Sequence, residues 1–171
     1  THPRSSAASD VYKRQVVSSS QLYGGSFNLL RLTLKRFGID TTFVKPRDTE
    51  GFKNAIQPNT KCIWGELIGN PGIEIMDLPE ISKIAKEANI PLMVDGTFNT
   101  PYLCNLFDLG ADIITHSLTK WMAGHGTSMG GIIVEKGDFD WTKGNKFPTM
   151  TEPYEGYHGL SFAEEFGPAA F

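Results

Sequence analysis

"IPLMVDGTFNTPYLCNLFDLGADIITHSLTKW", residues 90–121, decides how the chain is built. Two short apolar runs, Ile90–Asp95 and Asp112–Ser117, bracket a segment, Tyr102–Leu109, that reads as a helix closed by Gly110. Strand, helix, strand at this spacing is a crossover unit, which joins parallel neighbours. Each run ends in polar residues, Asp95 with Thr97 and Ser117 with Thr119 and Lys120.

Outward from there the alternation repeats. Upstream, "QVVSS" (15–19) reads as a strand, and Phe27, Leu30, Leu34 and Phe37 then fall on one face of a helix closed by Gly38. "TTFV" (41–44) is a strand, Thr49–Ile56 a short helix, and "KCIWGEL" (61–67) a strand running into the turn "IGNPG". Asp77 and Glu80 form a capping-box pattern ahead of Leu78, Ile81, Ile84, Ala85 and Ala88. Downstream, "GGIIVEKG" (130–137) is the last strand. Such a series predicts an α/β fold with a mostly parallel sheet covered by helices on both faces. From Asp138 to Gly159 the pattern stops in favour of Gly, Pro and aromatic residues, a long loop of the kind that serves a site or an interface.

The chain has 171 residues, 40% hydrophobic and 20% charged, enough for one core; it is one domain or a piece of one. A net charge of −3 with acid and base interspersed gives no nucleic-acid track and no attraction to an anionic membrane. Cys62 and Cys104 lie in apolar contexts without a CxxC, which predicts packing residues, a reducing compartment and no structural zinc. With no run of about 18 apolar residues and no charged-then-apolar leader, the expectation is a cytoplasmic protein.

The first fifteen residues stand apart. "SSAASDVYKRQ" (5–15) is polar and aperiodic, and it resembles the in-frame translation of a transposon-based sequencing adapter. Residues 1–15 are therefore read as non-native, with residues 16–171 as part of a larger domain whose N-terminal segment and C-terminal partner are absent. The apolar end "FGPAAF" fits the same expectation of truncation.

In open α/β sheets, ligands sit beyond the carboxyl ends of the strands. That rule gathers Tyr23, Glu66, Asn70, Asp95, Thr97, Ser117, Thr119 and Lys120 at one edge. Taken alone, each has an ordinary explanation. Lys120 would be a solvated strand-end charge, Asp95 a turn residue or a cap for a following helix, and the hydroxyls turn formers; Tyr23 would be a core residue and Asn70 a turn initiator. Together they include an amine, a carboxylate, hydroxyls, a flat ring and an amide. Pyridoxal phosphate needs that set: an amine for its aldehyde, an acid for its ring nitrogen, donors for its phosphate and a stacking partner. If Ser117–Lys120 stays extended, the hydroxyls of Ser117 and Thr119 point one way and Lys120 the other. Thr97 would orient Asp95. His116 and His125 lack metal-ligand or triad spacing and are assigned structural roles, so no metal is expected. A nucleotide-binding or non-catalytic α/β domain is the alternative of a different class, but no GxGxxG or GxxxxGKS follows a strand.

"SSSQLYGGSFNLL", "GELIGNPG", "VDGTFNTPYL" and "HSLTKWMAGHGTSMGG" resemble the Cys/Met-metabolism family of pyridoxal-phosphate enzymes, across Val16–Phe171. The segment "GDFDW…KFPTMTEPYEGYHGLSF" is similar to an extra loop of its sulfhydrylase branch. The resemblance implies the three-layer αβα aspartate-aminotransferase fold and pyridoxal 5′-phosphate as cofactor. It also implies γ-replacement on O-acetylhomoserine by sulfide or methanethiol, with γ-elimination (cystathionine or methionine γ-lyase) or cystathionine γ-synthesis as relatives of that reaction. By the same likeness Lys120 is the cofactor-bearing lysine and proton shuttle, and Asp95 the ring-nitrogen partner. Tyr23 is the stacking ring and leaving-group acid, Ser117 and Thr119 are the phosphate hydroxyls, and Asn70 is the donor to the phenolic oxygen; Thr97 and Glu66 match supporting positions. Gly96 departs from the family's usual Asn, and Gly69 lies in a variable turn. Family members add a Gly-Met turn, a neighbouring subunit's Tyr and Arg, and a C-terminal Arg, none with a matching position here. The resemblance thus implies active dimers within a homotetramer, and predicts that the 171-residue chain alone binds cofactor poorly and turns over nothing.

Overall fold

The computed structural model describes residues 13–169; most of the adapter-like segment, residues 1–12, lies outside them, as does the end of "FGPAAF". Six strands form one sheet: β1 Arg14–Ser19, β2 Ile39–Val44, β3 Thr60–Glu66, β4 Leu92–Asp95, β5 Ile113–Ser117 and β6 Gly131–Glu135. Their order is β2-β1-β3-β4-β5-β6. The first five pair in parallel, whereas β6 runs antiparallel to β5. Its connection, residues 118–130, contains no helix, so the strand returns beside β5 in the opposite direction instead of crossing over. Arg14 and Gln15, which the sequence groups with the adapter-like segment, are the first residues of β1. Gln15 is buried, donating to Thr42 Oγ1 at 2.9 Å and Ala55 O at 3.2 Å and accepting from the Thr60 hydroxyl.

Helices cover both faces of the β1–β4 part of the sheet. On one side lie α2 (Thr49–Ala55) and α3 (Leu78–Glu87), whose Phe52, Leu78, Ile81 and Ala85 are wholly buried against Val17, Ile63, Leu92 and Val94. Leaving water contributes about 1.5–3 kcal/mol for each of Phe52, Leu78 and Ile81, and less for the single methyl of Ala85. Asp48 starts α2 by accepting from Gly51 N at 2.8 Å, and Asp77 starts α3 by accepting from Glu80 N at 3.4 Å. Only half of the capping box forms, because the Glu80 carboxylate turns to Lys83 at 2.5 Å.

On the other face, the predicted Phe27–Phe37 helix is three short pieces: α1 (Gly24–Asn28), a π-helical turn over Leu29–Thr33 and a 3₁₀ turn over Leu34–Phe37. Each change of pitch rotates the apolar stripe. Phe27, Leu30 and Leu34 still pack with Val16, Phe43 and Trp64, but Phe37 swings into solvent, 74% exposed. Gly38 ends the run at φ 74°, a left-handed conformation suited to glycine. Cys62 packs into the same cluster, where burial pushes its thiol up to about 12; Cys62 and Cys104 are free thiols, each partly rather than fully buried.

Two further expectations change. The helix predicted over Tyr102–Leu109 is confined to α4, Thr100–Leu103, because asparagine side chains capture the backbone. Asn99 Nδ2 donates to Thr100 O and Cys104 O, and Asn105 Oδ1 accepts from Phe107 N, so turns replace the helix before Gly110. The loop after β6 also contains helical turns, α5 (Pro148–Thr151) and α6 (Phe162–Phe166) among them. Its first half runs beneath the sheet, at the edge where the parallel strands begin. There Lys136 N donates to Asp112 O at 2.9 Å, Lys146 Nζ reaches Thr60 O at 3.4 Å, and Lys61 Nζ donates to Lys146 O. Phe139, Trp141 and Phe147 close on one another edge-to-face, with centroids 4.7–5.8 Å apart. This part of the loop therefore does not reach the carboxyl edge of the sheet. Among the described residues no helix is long and apolar enough to cross a membrane.

Candidate active site

Strand direction decides where the polar residues meet. Because β1, β3, β4 and β5 are parallel, their carboxyl ends, Ser19, Glu66, Asp95 and Ser117, lie along one edge. The chain steps from β1 to β2 on one side and returns to β3 on the other, so the strand order reverses at the β1/β3 junction. Such a switch point opens a crevice. A cavity of about 520 Å³ occupies this edge, and all eight residues singled out in the sequence line it: Tyr23, Glu66, Asn70, Asp95, Thr97, Ser117, Thr119 and Lys120.

Asp95 is held at the floor by both oxygens. Oδ1 accepts from Thr97 N at 2.8 Å and Oδ2 from the Thr115 hydroxyl at 3.2 Å. Thr97 thus meets the carboxylate through its backbone; its own hydroxyl accepts from Ser117 N at 2.8 Å and ties the ends of β4 and β5 together. Thr115 escaped sequence reading. Its only signal is register: Asp95 and Thr115 are direct cross-strand partners, which puts their side chains on the same face.

Beyond β5 the chain does not stay extended. Lys120 N donates to Ser117 O at 3.2 Å, closing a turn that leaves Lys120 exposed at the mouth of the cavity. Alternation therefore does not separate amine and hydroxyls; the turn places all three on one wall. The Thr119 hydroxyl donates to Gly130 O at 3.2 Å and accepts from Gly130 N at 3.0 Å. Its one proton is thus engaged with the strand entry, and it would have to leave Gly130 O to donate to an anion. The structural reason is the antiparallel return of β6, which sets Gly130 beside Thr119.

On the opposite wall, Tyr23 precedes α1 with its ring lying over Gly25, where a Cβ would stand 2.7 Å from Tyr23 Cε1. Glycine accommodates that close approach. Tyr23 N donates to Glu66 Oε1 at 2.7 Å. Glu66 is 6% exposed, and its carboxyl is pushed up to about 7, first by burial and then by the nearby Asp95 carboxylate, against the backbone N–H groups of Tyr23 and Asn70. Asn70 lies in a turn closed by Gly69 N donating to Glu74 O at 2.9 Å. Ser26, Ile68, Phe98, Trp121 and Met129 complete the lining; they are aromatic, aliphatic or small residues that no motif singled out.

His116 is buried with Nδ1 unpartnered, packed beneath Gly96, where a Cβ would come within 2.7 Å of His116 Cε1. A side chain at this position would press on the imidazole as it is placed in this chain. His125 is exposed and bonds Ala123 O within its own turn.

The donor set fits pyridoxal phosphate. An amine, a carboxylate fixed at a strand end, a hydroxyl at Ser117, an exposed aromatic face and an amide share one cavity, and that cavity is large enough for a small heterocyclic ligand.

Comparison with known proteins agrees. Homocysteine synthase of Schizosaccharomyces pombe is 49% identical over 158 residues, covering 91% of this chain and 37% of its own. O-acetyl-L-homoserine sulfhydrylase of Leptospira meyeri is 47% identical over 154 residues, covering 90% and 35%. The chain thus spans little more than a third of the length of these curated relatives. A solved structure of an O-acetylhomoserine (thiol)-lyase from Campylobacter jejuni, which carries N′-pyridoxyl-lysine-5′-monophosphate, superposes with a TM-score of 0.84 at 36% identity, covering 86% of this chain and 37% of that one. Residues 11–159 match the family described as Cys/Met metabolism PLP-dependent enzymes, and with that match over most of its length the chain belongs to this family.

Proposed function

We propose that the chain is the cofactor-holding part of an enzyme that replaces the γ-acetoxy group of O-acetylhomoserine with sulfide or methanethiol, giving homocysteine or methionine. The observation that carries this reading is the convergence of Lys120, Asp95, Tyr23, Ser117 and Asn70 on one cavity at the switch point. The names of the relatives point to the same substrate.

When bound, pyridoxal phosphate supplies an aldehyde for amines and a ring that accepts carbanion electrons. Lys120 Nζ would supply the amine for the aldehyde and would move protons at the substrate's α and β carbons. Asp95, locked by Thr97 and Thr115, would hold the ring nitrogen. Tyr23 would stack on the ring and exclude water, and its hydroxyl would serve as the acid for the departing acetate. Ser117, with Thr119 once it leaves Gly130 O, would hold the phosphate, and the Asn70 amide would donate to the phenolic oxygen. We further propose that the working enzyme is a homo-oligomer, an active dimer within a tetramer, located in the cytoplasm.

The test is product analysis with the protein that carries this chain at its natural length. Sulfide-dependent formation of homocysteine from O-acetylhomoserine is expected. Release of ketobutyrate from methionine or cystathionine, without sulfide-dependent replacement, would assign γ-elimination instead.

A further inference from the structure

Glu66 is a buried carboxylate with a buried carboxylate's usual cost and no usual compensation. It is the last residue of β3, and among the described residues it forms no ion pair with Lys or Arg. Its direct register partner on β4 is another carboxylate, Asp95. Such placement is unfavourable unless the group is hydrogen-bonded. The hydrogen bond it makes reaches across the switch point: Tyr23 N, in the turn after β1, donates to Oε1 at 2.7 Å. A glutamine amide in the same place keeps one acceptor oxygen, whereas alanine keeps none.

We infer that Glu66 is a positioning residue that clamps the turn after β1 to the end of β3, fixing Tyr23 at the border of the cavity. Fixing the Tyr23 amide fixes the start of α1 and with it the ring over Gly25. This inference rests on the proposed function only where it concerns the cofactor; the clamp is a property of the protein alone.

Two measurements on the protein that carries this chain at its natural length separate these parts. In amide hydrogen exchange, Glu66→Ala is expected to lower protection at Tyr23 about ten-fold relative to core amides such as Ile63 and Val94. Glu66→Gln, which keeps an acceptor oxygen, is expected to retain most of that protection. Unchanged protection at Tyr23 in Glu66→Ala, or a uniform loss throughout β1 and β3, would overturn the clamp. The second measurement is titration with pyridoxal phosphate followed by visible absorbance. Glu66→Ala is expected to weaken binding about five-fold in the wild-type background and less than about two-fold on Tyr23→Ala, because the two residues act as one unit. Full additivity would overturn it. Should the exchange result hold while no variant yields a cofactor band, the clamp stands and the cofactor reading fails.

Discussion

Replacing Glu66 with glutamine should change how stability depends on pH. Burial and Asp95 raise the carboxyl from an ordinary value of 4.5 to about 7 in the folded chain. The folded state therefore holds a proton that the unfolded state has released. The stabilisation from that proton is fully present below pH 4.5 and is lost as pH rises through 7. A difference of about 2.5 pH units at 1.36 kcal/mol each gives at most about 3.4 kcal/mol, less where the open cavity admits water. Urea unfolding of both proteins at a series of pH values between 4.5 and 8 measures the effect. The wild type should lose about 2–3 kcal/mol more than Glu66→Gln over this interval, with equal m-values. Parallel stability curves would refute the reasoning, since they would mean that the Tyr23 and Asn70 amides hold Glu66 ionised at its ordinary pKa.

Other perturbations address separate parts of the account. Thr115→Val removes one hydrogen bond from Asp95 at nearly constant volume and should weaken pyridoxal phosphate binding about five- to ten-fold by absorbance titration, with little loss of stability. Gly96→Ala drives a Cβ against His116 and Leu106 and should cost about 1–3 kcal/mol in urea unfolding. Trp141→Ala opens the aromatic cluster beneath the sheet and should cost about 3 kcal/mol, while cofactor affinity stays within about two-fold because the cavity lies at the opposite edge.

The strands could be read from sequence because each is a short apolar run bounded by Gly, Pro or polar punctuation, and those boundaries are local. The clustering of the candidate site residues was legible for the same reason: Asp95, Ser117 and Glu66 are strand ends, and parallel strands bring their ends together. What escaped depends on distant partners. Thr115 acquires its role from cross-strand register with Asp95, twenty positions away. Phe37 leaves the core because the helix changes pitch, which apolar spacing does not reveal. The loop after β6 has the composition of a site loop, yet the reversal of β6 delivers it to the far edge of the sheet. The turn at Ser117–Lys120 likewise follows from the strand that returns beside it.

The central claim is that Lys120 carries the cofactor, and borohydride fixation tests it most directly. Protein saturated with pyridoxal phosphate should develop a visible band and, after reduction and digestion, carry the pyridoxyl group on Lys120; Lys120→Ala should lose both. A band that survives in Lys120→Ala, or a label spread over surface lysines with none enriched at Lys120, would contradict the account.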